Sequence, residues 1–221
     1  MQTTRVRAKD RGRSVSTRGA RRAPRQARSE ATVNAIVDAA TRVLAKRGYL
    51  GTTTNHIAER AGVSIGSFYE YFRNKDAVVR AVLEKHMTAG EALFAERAQA
   101  ALEGRAALSD DALLQLLVGS FVDFHADNPR LHRVLSSEVP QTPYAQKRTR
   151  ELEQKIVEVV ARMIAQSPSA KVNDARLAAQ ICVQTVDALA HRWVIDEKQG
   201  PVAAATLTAE LLRMLSGYLR G

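Results

Sequence analysis

Residues Thr52–Lys75 read TTTNHIAERAGVSIGSFYEYFRNK, a run that predicts two short helices joined by a tight turn. The threonines are good N-caps for the first helix, and Gly62 ends it because glycine enters the left-handed conformation at little cost. Ser64 is expected to cap the second helix, in which Phe68 and Phe72 lie four residues apart on one face. A helix, a glycine turn and a second short helix form a helix-turn-helix, whose second helix is shaped for the DNA major groove.

The rest of the chain also shows helical periodicity, and no segment alternates polar and apolar residues convincingly. Asn74 is expected to cap a long helix that runs to about Ala100, and Asn173 to cap another that runs to about Glu197. The other predicted helices span about Ser29–Gly48, Asp110–Asn128, Leu131–Leu135, Tyr144–Ala165 and Leu207–Leu219. These patterns predict an all-α fold of about nine helices, in which three form a DNA-binding head and the others a larger C-terminal bundle.

Positive charge is concentrated at the N-terminal end of the 221-residue chain, whose net charge is +10. Residues 1–28 hold ten Lys/Arg and one Asp, residues 29–86 hold eight basic and six acidic side chains, and the rest holds fifteen basic and sixteen acidic ones. Segment 1–28 has almost no large apolar residue, so it is expected to be a disordered basic arm that follows DNA phosphates. A solvated tail without a role is the alternative.

Several function classes are disfavoured by composition and motifs. No apolar run approaches the 18 residues of a membrane-spanning helix, and the basic N-terminus lacks the apolar segment of a secretory signal.

Cys182 is the single cysteine, which excludes an internal disulfide and points to a reducing cytoplasm. A redox role for this cysteine is a weaker alternative. An enzyme is not expected and no cofactor is predicted, because phosphate loops and nucleophile elbows are missing. A metal site from His125, His132 and Asp123 is a weak alternative.

A series of characteristic residue types lies within residues 30–85: Gly48-Tyr49-Leu50-Gly51-Thr52-Thr53, Ile57-Ala58, Ala61-Gly62-Val63-Ser64, Gly66, Phe68-Tyr69, Tyr71-Phe72 and Lys75. This series resembles the N-terminal domain of TetR/AcrR-family transcriptional regulators. The resemblance implies a homodimer that binds a palindromic operator, usually represses, and is released when a small molecule binds the C-terminal bundle. It divides the chain into the arm 1–28, a helix-turn-helix domain 29–75 and a ligand-binding and dimerisation domain 76–221. A ligand-independent architectural DNA-binding protein is the alternative.

Ten residues on and beside the two short helices are predicted to contact DNA. The first residues of a recognition helix face base edges, so Ser67 is expected to hydrogen-bond bases and Ile65 to pack on a thymine methyl. Lys75 resembles the family's phosphate-clamping lysine. The full set is Thr53, Thr54, Asn55, Ser64, Ile65, Gly66, Ser67, Tyr69, Tyr71 and Lys75. Since no arginine lies on this face, groove shape and the arm residues Arg25 and Arg28 are expected to add to recognition.

The C-terminal helices supply the candidates for pairing and for effector binding. One short head reads too few bases for useful specificity, so two-fold pairing is expected, with the last two helices as the interface. The predicted interface residues are Leu177, Ile181, Leu189, Leu207, Leu211, Met214, Leu215 and Tyr218. An aromatic-lined pocket with a few polar groups suits a small apolar effector. The predicted pocket residues are Phe94, Phe121, Phe124, His125, Tyr144, Met163 and Trp193.

Overall fold

The computed structural model describes residues 18–103, 110–192 and 202–221, and these described residues form nine α-helices and one π-helical turn, without a strand. The helices are α1 Arg18–Arg47, α2 Thr54–Ala61, α3 Ile65–Tyr71, α4 Lys75–Glu103, α5 Asp110–Asp127, α6 Pro129–Arg133, α7 Pro143–Gln166, α8 Ala175–Ala190 and α9 Ala204–Arg220. The π-helical turn is Val134–Glu138 and continues directly from α6. The predicted all-α class is confirmed. None of the described helices is long and apolar enough to cross a lipid bilayer.

The ends of α2 and α3 are set by the side chains that the sequence indicated. Thr53 Oγ1 accepts a hydrogen bond from the backbone N–H of His56 at 3.2 Å, and Ser64 Oγ accepts one from the backbone N–H of Ser67 at 3.0 Å. Gly62 ends α2 with φ of 69°, a left-handed conformation that any other residue adopts only with strain. The ends of α2 and α3 are therefore set by interactions between residues that are close in sequence, without long-range packing.

The first helix begins earlier than its pattern predicted. We expected helix from Ser29, but α1 starts at Arg18, so the end of the predicted disordered arm is helical. Alanine, arginine and glutamine have high helix propensity, and the Gln26 side chain donates to the Glu30 carboxylate four residues on at 3.3 Å. Residues 1–17 of the predicted arm lie outside the described part of the chain.

The cap of α8 is also one residue away from the expected position. Asp174, rather than Asn173, accepts hydrogen bonds from the backbone N–H groups of Arg176 (2.9 Å) and Leu177 (3.0 Å). Both residue types are good N-caps, so the sequence alone did not distinguish them. The α-helical span of α8 ends at Ala190. The predicted end near Glu197 lies outside the described residues.

Two hydrophobic cores lie on either side of a cavity, and α4 crosses from one to the other. The head core joins α1, α2, α3, the first half of α4 and α6. The bundle core joins α5, α7, α8, α9 and Phe94 from the second half of α4. α4 therefore packs against both the head and the bundle, and the predicted domain boundary at Lys75 stays a prediction. Completely buried members of the head core include Ile36, Leu44, Ile57, Phe68 and Val78.

An ion-pair network holds α7 against α4 beside the cavity. Arg148 donates to the Glu91 carboxylate at 2.6 Å and to Glu84 at 3.3 Å, and Lys155 donates to Glu91 at 2.8 Å. The hydrogen bonds from Arg148 and Lys155 hold the pKa of Glu91 below its usual value. The Arg148 side chain is only 13% exposed, so this contact is less screened by solvent than an ordinary surface pair.

Candidate DNA-reading surface and effector cavity

The exposed face of α3 has the position and shape of a DNA-reading surface. Ile65 and Tyr69 are 41% and 52% exposed, and Gly66 is exposed beside them. The opposite face is buried in the head core, where Phe68 is 0% and Phe72 is 8% exposed. The short helix is thus anchored by two phenylalanines and leaves its other side free for a groove.

Some predicted DNA contacts are engaged in capping. Ser64 Oγ donates to Ser67 Oγ at 3.0 Å while it accepts from the Ser67 backbone, so both hydroxyls are held at the start of α3. Thr53 serves as the cap of α2, and Asn55 is exposed in the first turn of that helix. The N-termini of α2 and α3 therefore present ordered polar groups at the surface, as phosphate or base contacts require.

The two recognition-helix tyrosines differ in their surroundings. Tyr69 OH lies 3.2 Å from Thr54 Oγ1, so the exposed phenol joins the start of α2 to α3. Tyr71 is half-buried and packs against the head core. Tyr69 is consequently the better placed of the two to reach a phosphate oxygen, and Tyr71 has a larger share in packing.

Lys75 is bound within the head and is not a freely solvated side chain. Its Nζ donates to the backbone carbonyl of Tyr49 at 3.0 Å and lies 3.8 Å from the centroid of the Tyr49 ring. Tyr49 OH in turn donates to Asp76 Oδ1 at 2.6 Å, and this hydrogen bond, with burial, raises the pKa of Tyr49 to about 12. Lys75 therefore connects the loop before α2 to the start of α4. Its other N–H groups can still contact a further partner.

The same loop is also held from the side of the bundle. The backbone N–H of Tyr49 donates to Glu138 Oε2, at the end of the π-helical turn, at 2.8 Å. Gly48 has φ of 70°, and a Cβ atom there would lie 2.5 Å from Glu138 Oε2, so only glycine permits this close approach. π-Helical segments occur mostly as short insertions near functional sites. Glu138 is a direct contact between the bundle and the helix-turn-helix.

A cavity of about 470 Å³ lies between α4, α5, α7, α8 and the π-helical turn. Its α4 wall is one continuous helical face, formed by Leu83, His86, Met87, Gly90 and Phe94. The other apolar walls come from Phe121, Phe124, Leu135, Ala145, Leu152, Ile156 and Val183. Polar side chains also line the cavity and include Ser136, Gln141, Gln184 and Asp187. This size and composition are those of a small-molecule site.

The structure separates the predicted pocket residues into different places. Phe94, Phe121, Phe124 and His125 line the cavity. Met163 instead lines an apolar slot of about 30 Å³, which shares Phe94 with the cavity. Tyr144 lies outside the cavity, because its hydroxyl donates to Glu84 and its ring stacks on Arg80 at 3.5 Å. Trp193 lies outside the described residues.

Four of the five histidines of the chain meet at one end of the cavity. His86 Nε2 lies 3.4 Å from His132 Nδ1, and His125 Nε2 lies 3.2 Å from His191 Nδ1. The rings of His125 and His132 are stacked with centroids 4.5 Å apart. Of these four histidines, the sequence analysis placed only His125 in the pocket. The spacing of His125 and His132 was a signal for part of this cluster.

Burial keeps two of these imidazoles neutral. Desolvation, with a smaller opposing effect from Asp127, lowers the pKa of His86 to about 4, and desolvation lowers the pKa of His132 to about 2. Burial would lower the pKa of His191 as well, but hydrogen bonding to Asp187 raises it overall. Burial likewise opposes ionisation of Asp187, yet the histidines beside it hold its pKa below the usual value.

As the pH is lowered, the protein without any bound metal ion is expected to lose stability before its carboxylates bind protons. The folded-state pKa of His86 is depressed, so between pH 6.5 and 4 the unfolded chain binds a proton there that the native state does not. The free energy of unfolding then falls by up to about 1.4 kcal/mol per pH unit for such a histidine, and the raised pKa of His191 offsets part of the loss.

Urea unfolding at pH 7, 6 and 5 in EDTA, compared with His86→Gln, isolates this contribution. The variant removes the titrating ring, so its stability should depend less steeply on pH than that of the wild type. His125, Asp127 and His132 face this ring and stay unchanged in the variant. Parallel pH dependences for the two proteins would contradict a neutral, buried His86.

The outer faces of α8 and α9 carry two exposed apolar pairs. Leu177 and Ile181 on α8 are 53% and 39% exposed, and Met214 and Tyr218 on α9 are 46% and 40% exposed. Each pair has the i, i+4 spacing of one helix face. The other predicted interface residues on these helices are not exposed in this way. Leu207, Leu211 and Leu215 are buried within the bundle, and Leu189 is partly buried against it.

Two alternatives from the sequence lose support in the structure. Cys182 is 0% exposed in the bundle core, and burial raises the pKa of its thiol to about 11, which disfavours a reactive thiolate. Asp123 does not join the histidines, because its carboxylate accepts from Arg97 at 2.9 Å on the outside of α5.

Two protein-family models match separate parts of the chain. Residues 36–82 match a family described as bacterial regulatory proteins, tetR family. Residues 111–219 match a family described as Tetracyclin repressor-like, C-terminal domain. The two matches cover the helix-turn-helix with the first turns of α4, and the bundle that encloses the cavity.

Individual relatives extend this likeness over most of the chain. The fatty acid metabolism regulator protein of Bacillus subtilis (strain 168) is 30% identical over 189 residues, which cover 80% of this chain and 91% of the relative. A transcriptional regulator of Bacillus subtilis, solved in complex with stearoyl-CoA, is 25% identical with a TM-score of 0.63, over 82% of this chain and 96% of that one. The fatty acid degradation regulator of Bacillus halodurans shares the fold, with a TM-score of 0.68 at 24% identity, over 86% and 96%. This chain belongs to the TetR family of bacterial transcriptional regulators.

Proposed function

We propose that the protein is a repressor that binds a palindromic operator as a homodimer and leaves DNA when a fatty acyl-CoA occupies the bundle cavity. The main support for this proposal is that one structural segment connects the cavity to the DNA-binding head. Leu135 and Ser136 of the π-helical turn line the cavity, and Glu138 of the same turn holds the head loop at Tyr49. A ligand that moves this turn therefore acts on the head through one rigid segment.

DNA reading in this proposal depends on shape and phosphate contacts more than on guanine recognition. The α3 surface offers Ile65, Gly66 and Ser67 for the groove floor and Tyr69 for a phosphate. Arg28 is exposed on α1 and adds positive charge on the N-terminal side of the head. The side chain of Arg25 falls outside the described part of the chain. Each phosphate contact contributes about 0.9 to the salt dependence of binding.

A long acyl chain is the effector class that the surroundings of the cavity favour. The cavity walls are mostly aliphatic and aromatic, and beyond Phe94 an apolar slot reaches Leu117 and Ile164 in the bundle core. A shift of the Phe94 ring would join the slot to the cavity and lengthen the apolar space. The stearoyl-CoA bound to a relative and the fatty-acid role in another relative's name support the same ligand class.

Release of DNA requires that the acyl-CoA binds one state of the dimer more tightly than the other. A hundredfold loss of operator affinity corresponds to a difference of about 2.7 kcal/mol between the two states. Movement of the π-helical turn breaks or strains the Glu138–Tyr49 contact, which is one route for this coupling. The loop before α2 is still held by the hydrogen bond from Lys75 to the Tyr49 carbonyl, so the head reorients without unfolding.

The proposal is tested by fluorescence anisotropy with a labelled DNA fragment from upstream of the gene, with and without stearoyl-CoA. Stearoyl-CoA should weaken DNA binding by at least about tenfold, whereas coenzyme A alone should not, because it lacks the chain that fills the apolar cavity. In Glu138→Ala, stearoyl-CoA should still bind, as measured by calorimetry, but should release DNA less effectively.

Two results would count against parts of this proposal separately. Unchanged operator affinity at saturating stearoyl-CoA would remove the acyl-CoA assignment and leave the DNA-binding role intact. Binding to many unrelated DNA sequences with equal affinity, in the absence of any ligand, would favour the architectural alternative.

A further inference from the structure

We propose that His125, His132 and His191 form a binding site for a divalent transition-metal ion of the zinc type in the wall of the cavity. One donor nitrogen from each of the three rings lies within 4.8 Å of the other two. In a tetrahedral zinc site with metal–nitrogen bonds of about 2.1 Å, two ligand nitrogens are about 3.4 Å apart. His125 Nε2 and His191 Nδ1 are already 3.2 Å apart. His132 Nδ1 has to leave its contact with His86 and come closer to these two nitrogens.

Backbone carbonyls fix which nitrogen two of these histidines offer. His125 Nδ1 lies 2.7 Å from the Phe121 carbonyl, and His132 Nε2 lies 3.1 Å from the Phe124 carbonyl. A carbonyl oxygen can only accept, so these ring nitrogens carry the protons. The lone pairs are therefore on His125 Nε2, which faces His191, and on His132 Nδ1, which lies 3.4 Å from His86 Nε2. Metal-ligating histidines almost always have this support from a second hydrogen bond.

The charge near the site favours a cation. The Asp187 carboxylate lies 3.6 Å from His125 Nε2 and 3.4 Å from His191 Nδ1. His125 and His132 are buried, at 3% and 6% exposure. Imidazole nitrogens with a neighbouring carboxylate suit zinc, cobalt or nickel better than the hard ions magnesium and calcium.

Without a metal ion, the proposed ligand nitrogens of His125 and His191 share one proton. His191 Nδ1 also lies 3.1 Å from the Asp187 carbonyl, so it carries this proton and donates, and His125 Nε2 accepts. A metal ion would displace that proton and bind both nitrogens. The proposal is independent of the acyl-CoA effector, since it concerns protein ligands on α5, α6 and the end of α8.

The test is a zinc titration of the full-length protein after EDTA treatment and dialysis at pH 7.5, without DNA or acyl-CoA. Calorimetry should show binding of one zinc ion per protomer, and cobalt in place of zinc should give the visible absorption bands of tetrahedral coordination. His132→Gln and His191→Gln should each weaken zinc binding at least about 100-fold, and Asp187→Asn about tenfold. His56→Gln removes the single histidine outside the cavity and should bind zinc like the wild type.

Each outcome decides the proposal. Wild-type protein that binds zinc no more tightly than His132→Gln and His191→Gln overturns the site, as does loss of binding in His56→Gln alone. If a variant misfolds by circular dichroism, the cobalt spectrum of the wild type decides: octahedral bands or no bands contradict the three-histidine site. Zinc binding without an acyl-CoA response would uphold this site and remove only the effector assignment.

Discussion

Phe68→Ala is expected to destabilise the DNA-binding head by about 3–5 kcal/mol, the usual range for removing a buried phenylalanine. Phe68 is 0% exposed, and its ring lies 5.9 Å from that of Phe72 in the head core. Within α3, which is 7 residues long, Phe68 is the buried residue that anchors the helix to this core. The variant should show a lower urea midpoint by circular dichroism and no operator binding by anisotropy.

Tyr69→Ala is the matched control, since the residue is next to Phe68 on the same helix but is 52% exposed. It loses the Thr54 contact and little packing, so its stability should change by less than about 1 kcal/mol. Operator affinity should still fall, because a hydrogen bond to a charged phosphate is worth about 1.5–3 kcal/mol. Equal urea midpoints for the wild type and Phe68→Ala would show that α3 is not anchored as described.

The double variant Leu177→Glu, Ile181→Glu is expected to convert the protein to monomers and to weaken operator binding at least about 100-fold. Both side chains lie exposed on α8, and α9 carries a second exposed pair. In a two-fold interface every substitution appears twice, so four carboxylates would meet in a desolvated patch. Sedimentation or light scattering gives the mass, and anisotropy gives the operator affinity.

The protomer itself should remain folded in this double variant, because neither side chain belongs to the bundle core. Leu50→Glu is a control with the same chemistry at a residue that is 88% exposed in the loop before α2, and it should leave the mass unchanged. A dimeric mass for the double variant would place the interface elsewhere, and the loss of operator affinity would then need another cause.

The helix-turn-helix and the helix order could be read from the sequence because they depend on local interactions. Thr53, Gly62 and Ser64 act through hydrogen bonds and backbone preferences that span only a few residues. The 3.6-residue period placed Phe68 and Phe72 in the core, where the structure has them. The start of α1 was missed because the low apolar content of the arm indicated disorder. The helix propensities of its residues are a weaker signal, and the sequence analysis gave them less weight.

Side-chain partners across the fold could not be read in the same way. The Lys75–Tyr49 contact joins residues 26 apart, and the His125–His191 contact joins residues 66 apart. The apolar period of α9 did not separate Leu211, which is buried in its own bundle, from Met214, which is exposed. Local rules therefore determined the head of this protein, whereas only the packing of α4–α8 around a shared cavity brought its histidines together and left two apolar pairs uncovered.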